Sequence, residues 1–187
     1  MNIRVKIEMQ NQETQTNWYV ITGGPSSGKT TTVNLLKSRG YQTTIEHARH
    51  YIDTQKITGK TLEEIKQNQV AFQRGIIDMQ IAQERALSPK DAVFLDRAVP
   101  DALAYYRFLG LPEDTKLRDA LHAFLYKKVF ILEPLPLVQD YARTEDSADQ
   151  QIIHRLLIET YESLGYTVVH VPVLSSEERV DFILKYL

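Results

Sequence analysis

The chain has 187 residues, enough for one domain with a substantial core, and 43 % hydrophobic against 25 % charged residues marks an ordinary globular protein. With 22 basic and 24 acidic residues, a net charge of −2 and no basic tract, it lacks the signature of a nonspecific nucleic-acid binder, and a small-molecule partner is expected instead. The absence of cysteine excludes disulfides, thiolate zinc sites and cysteine nucleophiles.

Met1 to Glu8 lacks the continuous apolar core of a signal peptide, and no apolar run approaches the ~20 residues of a membrane span, so the cytoplasm is the expected compartment. Residues 1–16 are polar. Within them Ile3, Val5, Ile7 and Met9 alternate with polar residues, which predicts either a loose tail or one extra N-terminal edge strand. From residue 17 to 187 a single domain is expected. Five apolar runs, Trp18–Thr22, Gln42–Ile45, Ala92–Leu95, Val129–Leu132 and Thr167–Val171, alternate with helical stretches, which predicts an α/β fold with a parallel sheet covered on both faces. The first helix follows the first run, from Thr30 to Arg39. A capping box, Thr61-Leu62-Glu63-Glu64, opens a long helical stretch that Ser88-Pro89 ends after about Leu87. Pro100 marks a first helical turn ahead of Leu103, Tyr106 and Phe108. Ala148 to Leu164 reads as another helix, stopped by Gly165, and Ser175-Ser176-Glu177-Glu178 opens the last.

The chemistry begins at Gly23-Gly24-Pro25-Ser26-Ser27-Gly28-Lys29-Thr30, a full match to G-x-x-x-x-G-K-[ST] between a predicted strand and a predicted helix. Glycines let the backbone curl so that its N–H groups face phosphate oxygens, and the helix N-terminus adds positive partial charge. These residues, together with Thr31, are the expected nucleotide-binding set. Lys29 is expected to reach the terminal phosphates and Thr30 to place its hydroxyl on Mg²⁺. ATP is the expected nucleotide. GTP stays open, although the Asn-Lys-x-Asp base-reading motif of Ras-type GTPases does not occur.

In an open α/β sheet, ligands bind beyond the carboxyl ends of the strands. Asp96 closes Val93-Phe94-Leu95 as an acid closes a Walker-B strand, so it is the expected second Mg²⁺ residue. The alternative is a strand-end turn aspartate. Glu46 ends the second run, where a carboxylate can orient or deprotonate an acceptor hydroxyl, or else pair with Arg49 three residues on. Arg49 itself would bind an anionic acceptor or serve that pair. Arg97 would contact the acceptor or the transferred phosphate, or anchor Asp96 and the helix beginning at Pro100. Tyr105-Tyr106 reads as packing rather than base stacking. The polar segment of about 133–151 is the expected lid, with Arg143 stabilising phosphoryl charge and Arg155 a weaker alternative. His47 and His50 have metal-sharing spacing but no third ligand, so surface or capping roles are expected.

Taken together, Ile21–Thr30, Glu46-His47-Ala48-Arg49, Phe94-Leu95-Asp96-Arg97 with Pro100-Asp101, Asp140-Tyr141-Ala142-Arg143-Thr144-Glu145, and Tyr161 with Leu164-Gly165-Tyr166 ahead of Val171-Pro172 resemble the NadR/Ttd-type P-loop ATPase family, also called an AAA domain, which includes ribosylnicotinamide kinase domains. The resemblance implies a three-layer P-loop NTPase fold, kinase-like, with a five-stranded parallel sheet in order 2-3-1-4-5. It also implies Glu46 near the acceptor and Arg143 in the lid. No further helical domain of the AAA+ motor type is expected after the sheet. Two readings follow. One is an ATP-dependent kinase in which Lys29, Glu46, Asp96, Arg97 and Arg143 serve catalysis and Glu46, Arg49 and Arg97 bind a nucleoside-like acceptor. The other is a nucleotide-binding regulatory switch or slow NTPase with no small-molecule acceptor.

Overall fold

The computed structural model of the protein describes residues 13–136 and 146–187. Ile3 to Met9, Arg143 and the middle of the expected lid lie outside those residues. A two-residue strand, β1 (Thr14–Gln15), precedes β2 (Trp18–Thr22), and α1 (Lys29–Ser38) returns the chain to β3 (Gln42–Thr43). Three helices follow, α2 (His47–Ile57), α3 (Leu62–Gln67) and α4 (Gln69–Ala86), and then β4 (Val93–Asp96), α5 (Val99–Phe108) and α6 (Thr115–Leu121). The chain continues through β5 (Phe124–Leu125), β6 (Lys128–Leu132), α7 (Ser147–Ser163), β7 (Val168–Val171) and α8 (Ser176–Leu184).

The main sheet has the order β3-β4-β2-β6-β7 with every neighbouring pair parallel; numbered by the five apolar runs, this is the 2-3-1-4-5 order that the family resemblance implies. Because side chains alternate across a strand, β2 feeds two cores. Tyr19 and Ile21 pack with Val33 and Leu36 of α1 and Val180 and Ile183 of α8 on one face. Trp18 and Val20 face the other way, with Val93, Leu95, Val129 and Tyr161. Burial on both faces explains why the central strands read as continuous apolar runs rather than as an alternation. α5 and α7 cover the second face, where Ala104, Ile131, Ile153 and Leu157 form one cluster. A separate two-stranded parallel pair joins Thr14 to Phe124 and Gln15 to Leu125, which ties the start of the described chain to the far side of the fold.

Two expectations change. The second strand stops at Thr43 instead of Ile45: Thr44 N–H still donates to Phe94 O at 3.0 Å, but the Asp96 N–H goes to the Thr44 side-chain Oγ1 at 2.8 Å. The stretch expected as one helix to about Leu87 is two. Asn68 sits at φ −106° and ψ 85°, and its side chain accepts from Ala71 N–H at 3.0 Å, so it caps α4 instead of continuing α3. Beyond the break α4 packs against α2 and α5.

Candidate active site

Between β2 and α1 the chain curls around a ring of backbone carbonyls, and each has a named donor. Lys29 Nζ donates to Gly23 O at 2.9 Å and to Gly24 O at 2.8 Å. Gln150 Nε2 donates to Pro25 O at 2.8 Å, Leu135 N to Ser26 O at 3.1 Å, and Arg179 Nη1 to Ser27 O at 2.6 Å. Gly28 O takes Thr32 N–H at 3.0 Å as the first bond of α1. Ser26 at φ 53° and Gly28 at φ 79° are left-handed, the alternation that makes successive N–H groups converge. Gly23 cannot be replaced, since a Cβ there would stand 2.7 Å from Leu132 O. Among the described residues, the N–H groups of Ser27, Gly28, Thr30 and Thr31 donate to no protein acceptor. The loop carbonyls are thus occupied by protein donors, while these four N–H groups are left for a ligand.

Asp96 is buried at the end of β4, and its Oδ1 has no hydrogen-bond partner among the described residues. Burial, and after it the Glu46 carboxylate, pushes its pKa up to about 6, against the pull of Lys29 and Arg97. Glu46 precedes the first turn of α2 and lies 3.7 Å from Arg49 Nε. Arg97 has a left-handed backbone, φ 68°, and its guanidinium donates to Asp101 Oδ1 at 2.8 Å. Asp101 also accepts from Thr22 Oγ1 at 2.6 Å, Tyr161 OH at 2.6 Å and Ala98 N at 3.2 Å. Burial would lower the Arg97 pKa, but Tyr105, Asp101 and Glu46 outweigh it and hold the charge firmly. Arg97 therefore anchors α5 through Asp101 while its guanidinium also lies 5.3 Å from the centre of the Tyr105 ring.

A cavity of about 310 Å³ opens beside these groups, at the low end of the size range of small-molecule sites. Pro25 of the phosphate loop, Glu46, Arg49 and Arg97 line one side, and Ile52, Phe72, Ile76 and Phe108 form apolar walls. Gln73 and Gln80 project into it from α4. Gln80 Nε2 is bonded to Glu84 Oε1 at 2.8 Å, whereas the side-chain amide of Gln73, a residue only 6 % exposed, makes no hydrogen bond among the described residues. Tyr106 is packed in a core, and Tyr105 packs against the Ala104, Ile131, Ile153 and Leu157 cluster, as expected, while also bordering the cavity.

The residues present fit a magnesium–triphosphate complex. Four orphaned N–H groups on one concave side suit phosphate oxygens. A buried carboxylate oxygen of Asp96 with no partner among the described residues suits a hard cation, and Thr30 is exposed. The described residues contain no cluster of three or more His, Asp or Glu able to hold a metal by themselves, so such a cation would share phosphate oxygens with Thr30 and Asp96.

A family model described as an AAA domain matches residues 18–179. The chain belongs to that AAA-domain family. A NadR protein in complex with NR shares the fold with a TM-score of 0.67 at 19 % identity, over 91 % of this chain and 49 % of the NadR chain. This AAA-domain protein thus spans about half the length of that relative. A thymidylate kinase from Ehrlichia chaffeensis matches with a TM-score of 0.63 at 13 % identity over 92 % of this chain and 98 % of its own. A deoxyadenosine kinase from M. mycoides matches with a TM-score of 0.59 at 14 % identity over 90 % and 97 %. These likenesses establish the fold, the three-layer α/β fold of P-loop kinases. No curated protein matches the chain.

Other side chains singled out in the AAA-domain sequence lie apart from the cavity or are occupied. His47 Nε2 is 2.8 Å from Gln83 Oε1, and burial lowers its pKa; His50 is exposed. Arg155 is exposed on α7 and lies 3.7 Å from Glu159. Glu133 bridges His170 at 2.8 Å and His154 at 3.4 Å. Sequence reasoning missed Gln73, Gln80, Gln150 and Arg179. Gln69, Gln73, Ile76 and Gln80 fall on one stripe of α4 at helical spacing, and polar residues interrupting an otherwise inward-facing stripe are the signal that was available. No helix among the described residues is long and apolar enough to cross a membrane.

Proposed function

We propose that this AAA-domain protein transfers the γ-phosphoryl group of a nucleoside triphosphate, ATP being the expected donor, to a hydroxyl of a nucleoside-like acceptor bound in the cavity beside the phosphate loop. The observation that supports this reading is the shared wall. Pro25 of the loop and the Glu46 and Arg97 side chains border the same cavity, so a phosphate held by the loop ends where an acceptor would begin.

In this reading the inner N–H groups of Ser27 to Thr31 hold the donor phosphates. Lys29 exchanges its two carbonyl partners for phosphate oxygens, which make stronger charge-assisted bonds. Thr30 and Asp96 hold Mg²⁺, and the ion when bound neutralises phosphate charge and aligns the donor. Glu46 orients and deprotonates the acceptor hydroxyl, with Arg49 keeping the carboxylate in place. Arg97, fixed by Asp101, stabilises charge on the transferred group without reorganising. Arg143 is proposed as the lid cation. The apolar walls take a flat ring, and the Gln73 amide offers one donor and one acceptor to its edge. A nucleotide switch has no use for a half-apolar cavity at the phosphate end of its loop, which favours the kinase over the regulator.

The test is an acceptor screen with labelled ATP and a panel of nucleosides, run on wild type and Glu46→Gln. Transfer to one acceptor that falls about 10²–10⁴-fold in the variant, as for loss of a general base, supports the reading. Bound ATP with no transfer to any hydroxyl compound, or transfer that Glu46→Gln leaves unchanged, contradicts it.

A further inference from the structure

The carbonyl ring of the phosphate loop contains one contact that neither the motif nor the cavity explains. Arg179 stands in the second turn of α8 and is 2 % exposed. Its Nη1 reaches Ser27 O at 2.6 Å, and its Nε and Nη2 have no hydrogen-bond partner among the described residues. Among the described residues no carboxylate pairs with it; Glu177 and Asp181 on the same helix pair with Arg39 instead. A buried guanidinium with no carboxylate partner among the described residues is costly unless something nearby gains from its charge.

What stands nearby is the steepest part of the anion nest. A trans peptide unit is planar, with its C=O and N–H pointing in opposite directions. A donor that holds the Ser27 carbonyl outward therefore holds the Gly28 N–H inward. This peptide needs such a hold more than its neighbours do. Gly28, at φ 79°, carries no side chain, so nothing intrinsic to the residue opposes a flip of the preceding peptide. A Cβ at Gly28 would meet Arg179 Nη1 at 3.0 Å, so the guanidinium is packed directly against the turn.

We propose that Arg179 is a positioning residue for polyphosphate binding: it fixes the Ser27–Gly28 peptide with its N–H toward the nucleotide and places a permanent positive charge behind the nest. The inference rests on the reading of the loop as a nucleotide site, and it extends that site to a side chain 152 residues away in the chain. Two contributions are separable. The hydrogen bond orients one N–H, and the charge, screened little in the buried setting, attracts the diphosphate portion of the ligand. Both act on the α- and β-phosphates that such a loop cradles and neither acts on the cavity occupied by the acceptor.

The experiment titrates ADP and AMP calorimetrically into wild type, Arg179→Met, Arg179→Gln and Arg179→Lys, with thermal melting run in parallel. Wild type is expected to bind ADP more tightly than AMP. Arg179→Met is expected to lose at least tenfold in ADP affinity with a much smaller loss for AMP, so the preference narrows. Arg179→Gln, which keeps a neutral donor, should recover part of that loss, and Arg179→Lys, which keeps the charge and one donor, should recover more. A packing defect would weaken both ligands equally and track the melting temperature. Equal losses for ADP and AMP, or wild-type ADP affinity in any folded variant lacking both charge and donor, overturns the proposal. Should Arg179→Met fail to fold, an unchanged ADP-to-AMP preference in Arg179→Gln overturns it as well. A wild type that binds no ADP overturns this proposal and the nucleotide reading together, whereas normal ADP binding by Arg179→Met removes only the proposal.

Discussion

Asp101 gathers four hydrogen bonds from Thr22, Ala98, Tyr161 and Arg97, and so links β2, α5 and α7 to the guanidinium that faces the cavity. A second buried carboxyl lies close behind it. Glu84 accepts from Gln80 Nε2 at 2.8 Å, Tyr126 OH at 2.9 Å and Val99 N at 3.2 Å, yet burial outweighs these bonds and raises its pKa to about 7. In the unfolded chain a glutamate titrates near ~4.3. Between those values the folded protein binds the extra proton, so stability is highest below the unfolded value, falls as pH rises and levels off above about 7. Urea unfolding at about pH 5 and pH 7.5 should therefore show wild type losing roughly 2 kcal/mol more than Glu84→Gln across that interval. Parallel behaviour of the two proteins would show that Glu84 does not titrate in this window.

At the scale of elements, the approach of α2 to α4 decides the cavity's shape. Gly75 permits it, since a Cβ there would stand 2.1 Å from Tyr51 Cε2, and the Tyr51 ring is itself set edge-on against Phe72 at 5.6 Å. Gly75→Ala must displace the Tyr51 ring, through which the two helices meet. It is expected to destabilise the protein by about 1–3 kcal/mol through overpacking, despite alanine's better helix propensity. The same variant should raise the acceptor KM in the transfer assay while leaving the ATP KM unchanged, because Phe72, Gln73 and Ile76 ride on α4 and the phosphate loop does not. Unaltered melting and unaltered acceptor KM would contradict this account of the helix pair. These elements were unevenly legible. Pro100 and the Thr61 capping box announced α5 and α3 because they act through neighbours in sequence. The break at Asn68 was hidden, since apolar residues continue through it and only the cap bond to Ala71 shows that a second helix begins.

At the scale of the whole molecule, the five apolar runs sufficed to anticipate a parallel sheet, because central strands buried on both faces write themselves as continuous hydrophobic stretches, whereas the strand order was legible only through the family resemblance. The pairing of Thr14 with Phe124 had no such signature, being two residues long and exposed at β1. Likewise, the motif located Lys29 and Thr30 and the apolar strand located Asp96, but the donors that hold the loop's carbonyls come from 125 and 152 residues away, as Gln150 to Pro25 and Arg179 to Ser27. Contacts at such separation leave no local pattern. The central claim is that residues 23–30 form an anion nest for a magnesium-bound triphosphate. It is tested most directly by calorimetric titration of ATP with Mg²⁺ into wild type and Lys29→Ala. We predict saturable one-to-one binding to wild type and a loss of at least about tenfold in affinity in the variant, the scale of one charge-assisted hydrogen bond to phosphate. Equal affinity in the two proteins would contradict the account.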